Sequence, residues 1–208
     1  MVLREPRDLI SADAFWEFIE NLPAHDSGHY ELIEGVIVPM APTGELHGDT
    51  TSELDFQVRS VVKANDLGRV TAAETGYIVW RSPDLQGKDI ILAPDLGFIA
   101  KARMSAKPSR GFVEGAPDLA VEVLSSSDRM ANVMKKVQLY LQHGTRLVWV
   151  VDPDAEMIIQ FTPPGGIHVF GAEDTLDGGD VLPGFALPLR ILFKRDQSES
   201  HEPDQPTA

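Results

Sequence analysis

The chain has 208 residues, 43% of them hydrophobic, and contains no cysteine. That length buries a sizeable core in one domain, and the absence of cysteine excludes disulfides and thiolate metal or redox sites. The formal net charge of −14 excludes nucleic-acid binding through a broad positive field, so any contact with phosphates has to be local.

Met1 to Asp8 holds no apolar run of signal-peptide type, and no later run approaches the ~20 residues of a membrane span, which predicts a cytoplasmic protein. Ser11 reads as the N-cap of a helix from Ala12 to Leu22, with Phe15, Phe18 and Ile19 at helical spacing and Pro23 closing it. Tyr30–Ile33 and Val36–Val38 flank Glu34-Gly35 and predict a β-hairpin. A second helix, roughly Leu46 to Asn65, turns Leu54, Val58, Val61 and Val62 inward. A strand-rich block follows: Arg69–Ala73, Gly76–Trp80, then Ile90–Leu92 running on into Asp95–Ala100.

The loop from Lys101 to Gly115 is polar and punctuated by glycine, and a strand opens at Asp118. Ser125-Ser126-Ser127-Asp128 reads as an N-cap cluster for a helix reaching about His143, with Met130, Val133, Met134, Val137 and Leu141 as its apolar stripe. Leu147–Val151 is continuously apolar, as expected of a central strand buried on both faces. Met157–Phe161 and Ile167–Phe170 form a second hairpin across Pro163-Pro164-Gly165-Gly166. Together these predict one α/β domain over residues 1–195, a mixed central sheet flanked by helices with added N-terminal and C-terminal hairpins. The tail 196–208 carries Asp196, Glu199, Glu202 and Asp204 with no Lys or Arg, and is expected to be disordered.

The chemistry gathers around two Ala-Pro-Asp-Leu steps, at Ala93–Leu96 and Ala116–Leu119, followed by Lys135 and Lys136. Carboxylates on neighbouring buried strands, with an ammonium nearby, hold a divalent metal and stabilise charge on a phosphate, which points to metal-dependent phosphodiester cleavage. Asp118 and Glu122 share a face of one strand but stand roughly 13 Å apart, too far to share an ion with oxygen ligands at ~2.0–2.1 Å. Strands lie ~4.8 Å apart, so Asp95 on a neighbouring strand can stand beside Glu122. Asp95 and Glu122 are the expected metal pair, and Asp118 is expected to satisfy the start of its strand. Oxygen ligands suit Mg²⁺ or Mn²⁺. Lys101, Arg103, Lys107 and Arg110 fall within ten residues free of acids, either an ordinary solvated loop or a local phosphate contact.

At these residues the chain resembles the Uma family of restriction endonucleases, within the PD-(D/E)XK nuclease superfamily. The marks are Tyr30–Gly35, His47-Gly48, Pro94-Asp95, Pro117–Ser125, Lys136 with Tyr140, Trp149–Pro153 and Leu182–Phe185. The resemblance runs over about residues 10–193 and implies a restriction-endonuclease-like core. The superfamily pattern places acid and lysine two apart on one strand, which here is Glu122 and Leu124. The resemblance implies that the lysine has moved to the next helix, so that Asp95, Glu122 and Lys136 form the catalytic set, with Lys135 exposed beside it. Glu31 and His47 match family positions, and the resemblance implies that either could supply a further ligand or orient water, with an ordinary surface histidine as the alternative. Nucleic acid, DNA first, is the implied substrate. Double-strand cleavage needs two active sites, which together with the Phe161 and Phe170 hairpin predicts a homodimer. A competing class is a non-catalytic binding module that retains the nuclease fold, favoured by the net acidity and by Leu124.

Overall fold

Two mixed sheets organise the chain in this computed structural model, which describes residues 9–23, 28–72, 75–83 and 88–193. The first helix, α1 (Ala12–Glu20), is capped as expected, with the Ser11 side chain accepting from the Ala14 N–H. The hairpin follows as β1 (His29–Ile33) and β2 (Val36–Met40). Its turn sets Glu34 and Gly35 at φ 52° and 79°, the positive values that an I′-type connection needs. Then come α2 (Glu45–Ala64), β3 (Gly68–Ala72), β4 (Tyr77–Trp80), β5 (Ile90–Leu92) and β6 (Leu96–Ala100). The short β7 (Val113–Glu114) precedes β8 (Leu119–Val123), α3 (Met130–Gln142) and β9 (Leu147–Asp152). The second hairpin is β10 (Met157–Thr162) with β11 (Gly166–Gly171); β12 (Thr175–Asp177), β13 (Ala186–Pro188) and α4 (Arg190–Phe193) close the described chain. The acidic tail 196–208 lies outside the described residues.

The larger sheet runs β11-β10-β9-β8-β6-β3, and its parallel pair β8/β9 is joined by α3 as a crossover. The smaller sheet runs β2-β1-β5-β4-β7. The expected run from Ile90 through Ala100 is therefore not one strand path: β5 belongs to one sheet and β6 to the other. Pro94 has no N–H to continue a ladder, so the chain crosses between the sheets at Ala93-Pro94-Asp95. That crossing puts Asp95 at the seam.

Side-chain alternation then assembles the layers. Leu119, Val121 and Val123 of β8 face α2 (Leu54, Val58, Val62) and the C-terminal residues Leu182, Phe185 and Leu187. Ala120 faces the other way, with Val148 and Val150, toward Val133, Val137 and Tyr140 of α3 and toward Tyr77, Val79 and Leu92 of the smaller sheet. α1 covers the smaller sheet's outer face, where its Ala12 and Phe15 pack with Leu32, Ile78 and Ile91. Phe161 and Phe170 are both buried, in different cores. The serine-rich cluster also differs from expectation. Asp128 Oδ2 accepts from the Ser125 N–H at 2.7 Å and the Ser125 hydroxyl at 2.8 Å, closing the loop on itself, and the N-cap of α3 is Arg129, which makes no side-chain cap.

Candidate active site

β6 and β8 pair Leu96 with Val121, so Asp95 comes opposite Glu122 one step further along. The Val123 N–H donates to Asp95 Oδ2 at 2.7 Å, fixing the carboxylate against the neighbouring strand. His47, near the start of α2, places Nε2 3.3 Å from Asp95 Oδ1, and this contact raises the imidazole pKa above its ordinary value despite opposing desolvation. Glu31 arrives from the smaller sheet, where its Oε1 accepts from the Ala93 N–H at 2.8 Å. The two sheets thus contribute to one cluster.

Lys136 closes it. Its ammonium lies 2.6 Å from Glu122 Oε2 and 3.0 Å from Glu31 Oε1, almost shielded from solvent. Burial works to lower its pKa, but Glu122 and Glu31 overcome that and hold it above the ordinary value. Its neighbour Lys135 points elsewhere, 3.1 Å from Glu34 Oε2 with both groups exposed, because adjacent helical residues diverge by ~100°. One turn after Lys136, the buried Tyr140 hydroxyl donates to Glu122 Oε1 at 2.8 Å. Burial raises the Tyr140 pKa, and the Glu122 charge raises it further. Burial also pushes the Glu122 carboxyl up to about 7, with Lys136 pulling it down and Glu31 and Asp95 pushing it up. A cleft of about 660 Å³ opens over Glu31, His47, Asp95, Glu122, Lys135 and Lys136.

A family model named Uma2, described as "Putative restriction endonuclease", matches residues 16–190. The chain belongs to the Uma2 family. Among solved structures, a crystal structure described as "a putative nuclease belonging to DUF820" from Anabaena variabilis superposes with a TM-score of 0.71 at 25% identity. The match covers 88% of this chain and 97% of that one, so the two share one fold. No curated protein matches the chain. No helix among the described residues is long and apolar enough to cross a membrane.

Within this Uma2 fold, Asp95, Glu122, Lys136, Glu31 and His47 meet at one cleft, and Asp118 does not join them. The Asp118 carboxylate is buried and accepts from the Ala100 N–H at 2.7 Å, while its backbone carbonyl receives Arg146 and Leu147 N–H. The basic loop reads differently from the phosphate contact considered for it. Arg103 Nη1 lies 3.0 Å from Asp118 Oδ1, an ionic contact without hydrogen-bond alignment, and Arg103 Nη2 donates to the Ala116 carbonyl. Lys101 pairs with Asp66. Lys107 and Arg110 are exposed, and none of the four lines the cleft. These cations follow the far end of β6, roughly 17–20 Å along the strand from Asp95.

Tyr140 is the site residue that sequence reasoning assigned no role. Its position four after Lys136 was the available signal. Among the described residues no three His, Asp or Glu side chains close around a common point. Mg²⁺ is commonly held by one or two carboxylates, with waters and substrate phosphates filling the remaining positions, and Asp95 with Glu122 supplies that set. Glu122 and Glu31 face one buried ammonium and Asp95 stands beside His47, so the oxygen donors of this cluster fit a divalent cation.

Proposed function

We propose that this Uma2 protein is a Mg²⁺- or Mn²⁺-dependent endonuclease that hydrolyses phosphodiester bonds, with DNA as the first substrate to test. The observation that carries the reading is Asp95 beside Glu122 at the mouth of a cleft, with the Lys136 ammonium shared between Glu122 and Glu31. Asp95 and Glu122 would hold the cation, which when bound activates water and neutralises charge developing on the phosphate.

The protein's own groups supply the rest. An ammonium has three donors; two of Lys136's are engaged by Glu31 and Glu122, leaving one for a non-bridging phosphate oxygen or the attacking water. Tyr140 fixes the Glu122 carboxylate from its buried side. The Val123 N–H and His47 hold Asp95 in its orientation. Preorganised donors of this type are worth ~10²–10³ in rate.

The test incubates purified protein with plasmid, linear DNA and RNA in Mg²⁺, Mn²⁺ or EDTA. Cleavage that needs metal and disappears in Asp95→Asn and Glu122→Gln is expected. A wild-type protein that binds Mn²⁺ and cuts none of these substrates would replace the nuclease reading with the binding-module one. The reading includes a homodimer, supported by Ile167 and Val169 standing exposed on edge strand β11. A light-scattering mass of one chain removes that part.

A further inference from the structure

We propose that the substrate strand is unpaired when it enters the cleft and that β2 is the wall on which its bases lie. This rests on the nuclease reading and names the form of its substrate. In the hairpin register Val38 stands opposite Glu31 and Val36 opposite Ile33. Cross-strand partners share a face, so an apolar stripe of Val36, Val38 and Met40 continues directly from Glu31. All three are partly exposed and line the cleft. Ile37, between them, packs to the opposite side against the α1 core.

An aliphatic wall offers a phosphate nothing, but it suits the flat face of an unstacked base, as in enzymes that seat an extruded base between apolar side chains. Met40 adds an adaptable surface. Charge disfavours the alternative. A duplex presents a phosphate every ~1.7 Å along its axis. The lysines of this cleft are Lys135 and Lys136, already paired with Glu34 and with Glu31 and Glu122, and Asp128 also lines it. A second strand would meet carboxylates. Size agrees: about 660 Å³ is on the scale of a drug-sized ligand site of roughly 300–1,000 Å³, room for about one or two nucleotides.

The test measures fluorescence anisotropy of a short labelled single strand and of the same sequence as a duplex, with the full chain in Ca²⁺. The single strand is expected to bind at least about tenfold more tightly. Its log K against log salt slope should be no steeper than about −1.4, the value for about two phosphates on a single strand. Val38→Glu and Met40→Glu, each checked for an unchanged circular dichroism spectrum, should each weaken strand binding at least about tenfold. Duplex binding as tight as strand binding, no binding of either, or strand binding untouched by both variants would overturn the proposal. So would a Val38→Glu variant that halves the light-scattering mass while strand affinity holds, since the wall would then be an interface between copies. Cleavage in Mn²⁺ separates the two readings. A strand bound through β2 but never cut removes the nuclease reading alone, whereas duplex cut with single strand ignored removes this inference alone.

Discussion

Replacing Lys136 by Met separates a buried charge from a solvated one. Methionine keeps an apolar stem of similar length and removes the ammonium that sits 2.6 Å from Glu122 and 3.0 Å from Glu31. Both carboxyl groups are buried, Glu31 3% and Glu122 8% exposed, so losing their common partner costs about 3–5 kcal/mol. For a domain of this size each kcal/mol moves Tm by about 2–4 °C, giving a drop of about 6–20 °C. Lys135→Met breaks only an exposed pair with Glu34 and costs about 0–1 kcal/mol. The assay is urea and thermal unfolding of both variants in EDTA, with Lys136→Met/Glu122→Gln as a third. If the cost is unpaired charge, the double variant recovers a good part of the lost stability; if it is lost packing, it does not. Equal costs from the two lysines, or a Lys136→Met penalty below about 1 kcal/mol, would refute the placement of the ammonium between the two acids. On the proposed function, Lys136→Met also lowers metal-dependent cleavage by about 10²–10³ while Lys135→Met leaves it nearly unchanged.

Tyr140→Phe removes the donor to Glu122 Oε1 and should cost about 1–3 kcal/mol in urea unfolding, with kcat lowered more than KM. Mn²⁺ at a hundred times its Kd should stabilise the wild type by about 2.7 kcal/mol, and an unchanged thermal shift in Glu122→Gln would remove Glu122 as a ligand. Asp118→Ala strands the Ala100 N–H, while the half-exposed Arg103 keeps the Ala116 carbonyl, and should cost about 1–3 kcal/mol with Mn²⁺ affinity, read by calorimetry, unaltered. Gly97→Ala would set a Cβ 2.4 Å from the Tyr77 hydroxyl oxygen, which bonds Thr71 at 2.6 Å; a loss of about 1–3 kcal/mol by overpacking is expected, read as the urea midpoint.

Much of the site was legible because its geometry is local. Period-two alternation places Glu122 with Ala120 on the α3 side of β8, and the helical turn separates Lys136 from Lys135 before any tertiary contact is considered. The Ser11 cap and the Glu34-Gly35 turn are short-range chemistry of the same kind, and both occur where the residues indicate. Reading Ile90–Ala100 as one path, and Ser125–Asp128 as a helix cap, failed for a related reason. Each segment had a plausible local role that a different pairing displaced: a second sheet for β5, and for Ser125 the Asp128 carboxylate of its own loop.

The residues themselves determined the faces: which carboxylates point together, which lysine turns inward, which stripes are apolar. Only the tertiary structure decided which faces meet. Glu31 receives the Ala93 N–H across 62 positions of sequence, and Arg103 was free to be a phosphate ligand until folding set the buried Asp118 beside it. Periodicity reports the direction of a side chain relative to its own backbone, which neighbouring residues encode. Pairing between elements is settled by burial and charge compensation summed over the whole core, and no short stretch of sequence carries that sum.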